Sequence, residues 1–134
     1  MLTEAWLTLS WIDFAVSFLP YRWWKSWLLI QPDIKTSPVP VTSQPFEQFV
    51  WSINAAANHH LRKPTCLRRS LTLKRMLQRR RIPTDLRIGI RKNSSQIDAH
   101  AWIEHAGIVV NDSPDIATSY SQFPVLKEEL LRHL

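Results

Sequence analysis

The stretch that decides the fold is residues 64–77, PTCLRRSLTLKRML, which contains the only cysteine of the chain, Cys66. Its leucine and methionine side chains recur at three- and four-residue steps, which is the spacing of one buried helix face. Thr65 is a suitable N-cap, because its hydroxyl can accept an amide of the first turn. We therefore expect a helix that begins at Thr65 or Cys66, carries the cysteine in its first turn and ends by Pro83.

The sequence on both sides of this helix predicts further regular elements. Residues 46–61 place apolar side chains at helical spacing, so a helix precedes the cysteine. Residues 86–91 alternate apolar and polar side chains, as a strand with one solvated face does. Residues 99–105 and 108–111 continue this alternation around a tight turn, which predicts a β-hairpin. Helices followed by a small antiparallel sheet make the fold class α+β.

The N-terminal residues differ in composition from this core. Residues 1–30 hold five of the seven tryptophans and predict a hydrophobic helical segment. We expect it to pack on the domain or on a partner protein, with contact to a membrane surface as the alternative. A membrane-spanning helix is the least favoured interpretation, because the apolar run from Ala5 to Leu19 is short and contains Asp13.

A linker separates this segment from the core. Four of the nine prolines fall in residues 31–45, which predicts an extended conformation there. The chain is therefore divided into a helical segment with its linker at 1–45 and a domain at 46–134. Within that domain, residues 125–134 are predicted to close the fold with a short helix.

The charge of the chain is strongly basic, with a formal net charge of +6 over 134 residues. No acidic residue occurs between Gln48 and Thr84, so the cationic face of the central helix is expected to be uncompensated. Its members are Arg68, Arg69, Lys74, Arg75, Arg79, Arg80 and Arg81. Such a face suits a partner protein or an acidic peptide, and nucleic acid is the remote alternative because no reading motif accompanies it.

The single cysteine bounds both compartment and chemistry. It excludes an internal disulfide, and no cleavable signal peptide is recognisable, so the cytoplasm is the expected location, with membrane association as an alternative. A cysteine at a helix N-terminus among basic residues has a lowered pKa and is a candidate nucleophile. Packing as a small buried side chain is the other interpretation of Cys66.

The hairpin supplies the partners that a thiol nucleophile needs. If its turn centres on Ala106, paired positions sum to 212, and His100 faces Asp112 with Cβ atoms roughly 5 Å apart. A two-residue turn would shift this match by one position. In the first register the carboxylate orients the imidazole and the imidazole accepts the thiol proton, which is the arrangement of an acyl-transfer triad.

Three further residues are candidates for oxyanion or substrate contacts. They are His60, six residues before the cysteine, its neighbour Leu67, and Trp102, which shares a strand face with His100. Capping of a helix end is the alternative for His60, and core packing is the alternative for Trp102. One cysteine and scattered histidines do not form a zinc ligand set, so neither a metal nor a cofactor is expected.

Together these motifs resemble a known family. The matching runs are PTCLRRSLTL at 64–73, RRRIP at 79–83, LRIGIR at 86–91, DAHAWIE at 98–104 and VND at 110–112. Their order and spacing, over roughly residues 46–120, resemble the lasso peptide biosynthesis B2 proteins. These are leader peptidases that correspond to the C-terminal domain of the fused microcin J25-processing B protein. One departure is Arg81, where the family often has glycine.

The resemblance implies a cysteine protease with a transglutaminase-like, papain-like core. It would remove the leader from a ribosomally synthesised lasso peptide precursor, often after a penultimate threonine. Carried over to this chain, Cys66 is the nucleophile, His100 the general base and acid, and Asp112 the residue that orients it. The implied partners are the precursor leader, a PqqD-like winged-helix leader-recognition protein and a cyclase similar to asparagine synthetase. A transglutaminase-like acyl transferase that forms amide bonds is the alternative, because the thioester chemistry is shared.

Overall fold

The computed structural model describes residues 2–20, 22–23, 46–61, 63–93, 95–105, 107–113 and 115–123. The predicted linker at 31–45 and the predicted closing helix at 125–134 lie outside these ranges.

Among the helices whose bounds lie within the described ranges, three precede a small antiparallel sheet. The elements in chain order are α1 (Leu2–Phe18), α2 (Phe46–Asn58), α3 (Cys66–Arg79), β1 (Asp85–Asn93), β2 (Gln96–His105), β3 (Ile108–Val109), α4 (Ile116–Ser119) and β4 (Ser121–Phe123). The strands lie in the order β3-β2-β1-β4, and each neighbouring pair is antiparallel. The predicted α+β class is confirmed, and β4 is an additional strand that the sequence did not predict.

The core lies between the helices and the sheet, with α3 at its centre. One cluster joins Leu9, Ile53, Met76 and Leu77 to Ile103 of β2. A second cluster joins Ile12 of α1 and two leucines of α3 to Ile88 and Ala101 of the sheet. Each leucine or isoleucine buried in this way contributes about 1.5–3 kcal/mol. This packing explains why the apolar stripe of α3 predicted its buried face so well.

Helix α1 is part of this packing. Its buried residues Ala5, Leu9, Ile12 and Ala15 lie on one face, against α2 and α3. The interpretation of the N-terminal segment as packed on the domain is therefore what the structure shows for Leu2–Phe18. Within the ranges that the structure describes, no helix is long and apolar enough to cross a membrane.

The expectation that the basic face of α3 lacks acidic partners is wrong at both ends of the helix. Glu4 pairs with Arg80 at 2.7 Å, near the C-terminus of α3. Asp13 pairs with Arg68 at 2.8 Å, in its first turn. The two acids sit at opposite ends of α1, so α1 runs antiparallel to α3. These two arginines of the basic face therefore pair with acidic residues of α1 and hold α1 against α3.

The sequence also predicts Lys74 on the cationic face of α3. This prediction is wrong, because the structure places Lys74 in the interior. Its side chain is only 2% exposed, and Nζ donates a hydrogen bond to the carbonyl oxygen of Thr84 at 2.6 Å. Burial lowers the pKa of Lys74, because a desolvated ammonium group loses its hydration. The long lysine side chain thus ties α3 to the segment that leads into β1.

The end of α3 forms a Schellman motif. The amide of Ile82 donates to the carbonyl of Leu77, and the amide of Arg81 donates to that of Gln78, both at 3.0 Å. Ile82 and Leu77 pack in the same core cluster, as this motif requires. Arg81 therefore adopts a left-handed backbone with φ = 57°, at the position where the resembling family often has glycine.

We expect Arg81→Gly to stabilise the fold by about 0.5–1 kcal/mol, because glycine adopts this backbone conformation without a Cβ clash. The free energy of unfolding in urea measures the effect. Arg79→Gly, at the last helical residue, is the control and should lower that free energy by a similar amount. An Arg81→Gly variant less stable than the parent would contradict the assignment.

Candidate active site

Cys66 is the first residue of α3, as the sequence predicted. Thr65 is the N-cap, with an extended backbone, and its Oγ1 accepts the amide of Arg68 at 3.5 Å. This cap leaves the thiol at the positive end of the helix dipole, which favours a thiolate. The pattern of threonine before cysteine therefore has a direct structural meaning.

The thiol lies against the edge of β2 because the backbone of Ala101 binds α3 there. The amide of Ala101 hydrogen-bonds to the sulfur of Cys66, and its carbonyl accepts a hydrogen bond from Ser70 Oγ at 3.1 Å. Cys66 and Ser70 are one helical turn apart, so the start of α3 occupies the position that a neighbouring strand would take. The contact places the thiol beside His100, the residue before Ala101.

The hairpin register differs from the one that would pair His100 directly with Asp112. Glu104 pairs with Val109 and His105 pairs with Ile108, so paired positions sum to 213 rather than 212. This is the two-residue-turn register, in which Gly107 has a positive φ of 79°. The register with a sum of 212 is therefore wrong, because the turn is one residue shorter than it required.

Asp112 nevertheless reaches His100, because the chain leaves the ladder after β3. Asn111 ends the ladder: its Oδ1 accepts the amide of Ile103 at 2.8 Å, and its Nδ2 donates to Ser70 Oγ at 3.0 Å. The next residue, Asp112, accepts the amide of Ser113 at 2.7 Å through Oδ1. Its Oδ2 lies 2.5 Å from Nε2 of His100.

The thiol, the imidazole and the carboxylate therefore form one hydrogen-bonded line. Because Nε2 of His100 bonds to Asp112, Nδ1 is the ring nitrogen left for the thiol of Cys66. The hydrogen bond to Cys66 has the largest effect on the pKa of His100, and it raises this pKa. Burial lowers it, but the hydrogen bonds to Cys66 and Asp112 together outweigh burial and raise the pKa of His100 to about 9.

The thiol shifts in the opposite direction. Burial raises the pKa of Cys66, but the hydrogen bond to His100 and the amides of Ala101 and Leu67 outweigh it, so the pKa is lowered overall. A lowered thiol pKa beside a raised imidazole pKa favours a thiolate–imidazolium pair, which is the reactive form of a cysteine nucleophile.

This line opens into a cavity of about 290 Å³. The three residues of the line border this cavity, and a further wall of it comes from side chains of α2 and α3. Three apolar side chains of that wall are Val50, Ile53 and Leu73, and its polar members include Asn54 and Arg69. Arg69 Nη1 donates to Asn54 Oδ1 at 3.3 Å.

Two aromatic rings lie beside the imidazole, and they also contact each other. Trp102 is fully buried, and the centroid of its ring lies 6.3 Å from that of His100. Its Nε1 donates a hydrogen bond to Glu104 Oε1 at 3.0 Å. Tyr120, in the turn between α4 and β4, stacks on His100 with centroids 5.5 Å apart and an interplanar angle of 28°. Trp102 thus packs in the core beside the imidazole and is not one of the residues that line the cavity, so its role as a substrate contact stays a prediction.

The structure does not bring the remaining candidates into the cavity. His60 contacts α1 instead: its Nε2 lies 3.2 Å from Ser10 Oγ, and its ring lies 6.2 Å from that of Trp6. The side chain of Leu67 is 2% exposed and packs in the core, so only its backbone amide faces the sulfur. Among the described side chains, no group of three or more metal-ligating residues lies together.

Sequence reasoning missed Ser70, Asn111 and Tyr120. Ser70 carried a usable signal, because a polar residue four positions after Cys66 lies on the same face of the helix. Asn111 stands directly before Asp112, where its amide side chain can satisfy a strand edge. Tyr120 carried no comparable signal, because its position depends on β4.

Comparison with known proteins gives two matches. Residues 12–125 match the family model of the transglutaminase-like superfamily. A stretch of 59 residues is 39% identical to the microcin J25-processing protein McjB of Escherichia coli, and it covers 44% of this chain but only 27% of that protein. No solved structure matches. This chain therefore aligns with about a quarter of that relative.

We expect Asp112→Asn to lower the pKa of His100 from about 9 by roughly one unit, because an adjacent negative charge is lost. The imidazolium is present below its pKa, so the variant should lose it at lower pH than the parent. NMR titration of the imidazole measures this change directly. The control is Asp115→Asn, three residues further on, where no side-chain cap bond is formed. An unchanged His100 titration in Asp112→Asn would refute the coupling.

Proposed function

Because the chain belongs to the transglutaminase-like superfamily, we propose that it is a cysteine peptidase of lasso peptide maturation. In this proposal it cleaves the leader from a ribosomally synthesised precursor. The observation that carries the proposal is the line from the Cys66 thiol through His100 to Asp112, at the wall of an open cavity. The similarity to a microcin J25-processing protein supports the choice of substrate.

The first chemical step forms a thioester. The Cys66 thiolate attacks the carbonyl carbon at the end of the leader, and the electron pair moves to the carbonyl oxygen. The Cys66 amide, at the start of α3, is the donor that we assign to this oxygen. When the carbon–nitrogen bond breaks, the His100 imidazolium gives its proton to the leaving nitrogen, which frees the amino terminus of the core peptide.

The second step returns the enzyme to its starting state. Neutral His100 takes a proton from water, and the resulting hydroxide attacks the thioester carbon. The carbon–sulfur bond breaks, the leader leaves as a carboxylic acid that loses its proton to water, and Cys66 is again a thiolate beside an imidazolium. Asp112 stabilises the imidazolium of the free enzyme and keeps Nδ1 directed at the sulfur.

The lining of the cavity offers both apolar and polar groups to a bound peptide. Apolar side chains of α2 and α3 form one wall, while Asn54 and Arg69 add polar groups beside it. Asn54 and Arg69 can donate hydrogen bonds to backbone carbonyls of a bound peptide. Its apolar side chains can pack against Val50, Ile53 and Leu73. This composition supports a leader segment as the substrate.

We further propose that a separate leader-recognition protein binds the aromatic stripe of α1, defined as Trp11, Phe14 and Phe18. These residues are spaced by three and four positions, are 50%, 48% and 72% exposed, and form consecutive ring contacts of 5.9 Å and 5.2 Å. Exposed aromatic clusters of this kind are typical of protein interfaces.

The position of the stripe supports this partner. Asp13, between its members, pairs with Arg68 in the first turn of α3, so the stripe lies at the Cys66 end of the domain. Val16 and Leu19 of the same end pack in the cluster that Cys66 contacts. A protein bound there would hold a leader close to the thiol. The cyclase that consumes the freed amine remains a partner of the pathway in this proposal.

Cleavage of a precursor tests the function. We expect the protein, with a synthetic lasso precursor and its recognition protein, to release a leader fragment with a free carboxylate. Cys66→Ala should lower the rate roughly 10³-fold or more, because the nucleophile is lost. Mass spectrometry of the products measures the outcome. Ser119→Ala, on the exposed surface of α4, is the matched control and should cleave at the parental rate.

The same products separate the competing functions. Hydrolysis adds the mass of water across the cleaved bond. A product joined to an added amine, without free leader carboxylate, would favour the acyl transferase instead. Equal cleavage by Cys66→Ala and the parent would remove both functions, since each requires a thioester on Cys66.

For the aromatic stripe, we expect the double variant Phe14→Ala/Phe18→Ala to raise the half-saturating concentration of the recognition protein by roughly tenfold or more. The cleavage assay at increasing recognition protein measures this change. Trp51→Ala is the control, because Trp51 is 65% exposed on α2 and outside the stripe. An unchanged titration together with lost binding to anionic vesicles would replace the protein partner with a lipid surface.

A further inference from the structure

Tyr120 contacts His100, the middle residue of the hydrogen-bonded line that Cys66, His100 and Asp112 form. The proposed peptidase mechanism uses no atom of Tyr120. Its ring lies over the imidazole of His100, with centroids 5.5 Å apart, and tilts against Trp102 at 6.4 Å. Trp102 contacts the imidazole as well. The imidazole therefore has two aromatic neighbours, of which Trp102 is fully buried and Tyr120 is partly exposed.

Two charged residues of the neighbouring strands hold the tyrosine in this position. Its hydroxyl donates a hydrogen bond to Asp98 Oδ2 at 2.8 Å. The guanidinium of Arg91 lies 4.8 Å from the ring centroid and pairs with Asp98 at 3.2 Å. Arg91 of β1 and Asp98 of β2 are directly paired in the sheet. The sheet register therefore fixes the position of the two residues that contact Tyr120.

Gly89 provides the space that the tyrosine occupies. It pairs with His100 in the β1–β2 ladder, and a Cβ at this position would lie 2.5 Å from Cβ of Tyr120 and 3.0 Å from the Trp102 ring. Any other residue would therefore push Tyr120 or Trp102 away. These residues form one arrangement around the imidazole of His100. Gly89 pairs with His100, Tyr120 lies over its ring, and Arg91 and Asp98 contact Tyr120.

We propose that Tyr120 is a positioning residue that holds the His100 imidazole between the Cys66 thiol and the Asp112 carboxylate. The ring limits rotation of the imidazole about its side-chain bonds. Its π face also attracts the positive charge of the imidazolium. The kinetic part of this inference rests on the proposed peptidase function, whereas the titration part does not.

Other charged groups surround the same imidazole and must be held constant in the test. They are Cys66 and Arg69 of α3, Asp112 after β3, and Arg91 and Asp98 of the β1–β2 pair. Substitution of Tyr120 by leucine or phenylalanine changes none of these charges. A shift in the titration of His100 therefore reports the aromatic contact itself.

NMR titration of His100 in the full chain is the substrate-free measurement. Tyr120→Leu should lower the pKa of His100 by about half a unit, the effect expected for one exposed cation–π contact. Tyr120→Phe keeps the ring and should titrate as the parent does. If the leucine variant does not fold, Tyr120→Val replaces it, and the His105 resonance, from a ring bonded to the Pro83 carbonyl, reports an intact hairpin.

The kinetic measurement adds a second readout. Tyr120→Leu should lower kcat by roughly threefold to tenfold with KM little changed, and the alkaline limb of kcat should move down in pH with the titration. Tyr120→Phe should restore both. A purely structural role would instead lower activity and the unfolding midpoint together without moving the limb.

Two outcomes overturn the inference. One is a leucine variant, folded as judged by its unfolding midpoint, in which His100 titrates as in the parent. The other is a phenylalanine variant that shifts as far as the leucine variant, which would assign the effect to the hydroxyl and not to the ring. If the parent does not cleave precursor, the peptidase proposal fails, but the titration still decides the role of Tyr120.

Discussion

The contact between the first turn of α3 and the edge of β2 governs the rest of the structure. Ala101 directs its amide and carbonyl away from β1, and both bind α3, through the Cys66 sulfur and Ser70 Oγ. Backbone groups inside a protein need partners, so α3 cannot slide along the strand without leaving them unsatisfied. His100 is the adjacent residue in the strand. The same contact therefore satisfies the sheet edge and sets the distance between thiol and imidazole.

This arrangement requires β3 to be short. A longer β3 would pair with Ala101 and compete with α3 for the edge, and in the observed register Asp112 would then face Ala101. Asn111 prevents this, because its side chain takes the amide of Ile103 and its Nδ2 binds Ser70. The ladder ends, the chain turns away, and the Asp112 carboxylate approaches His100 from beyond the strand end. A break in regular structure thus completes the hydrogen-bonded line from Cys66 through His100 to Asp112.

Local signals in the sequence predicted much of this site, and long-range contacts account for what they missed. The cap at Thr65, the apolar stripe of α3 and the alternation of β1 and β2 are short-range patterns, and the structure reproduces them. The hairpin register depended on one residue of turn length, which composition does not fix. Strand β4 has three residues, too few for a visible alternation. The position of Tyr120 follows from that strand.

The ion pairs between α1 and α3 offset part of the positive charge of a chain whose formal net charge is +6. Exposed charges beyond about 10 Å are screened, so the neighbours of His100 decide its protonation. The neighbours that raise the pKa of His100 are Cys66 and Asp112. Arg68 lies two residues after Cys66, in the first turn of α3. Asp13 neutralises it at 2.8 Å, and Asp112 supplies the remaining negative charge. The N-terminal helix, which composition set apart from the domain, therefore neutralises a cation of the helical turn that carries Cys66.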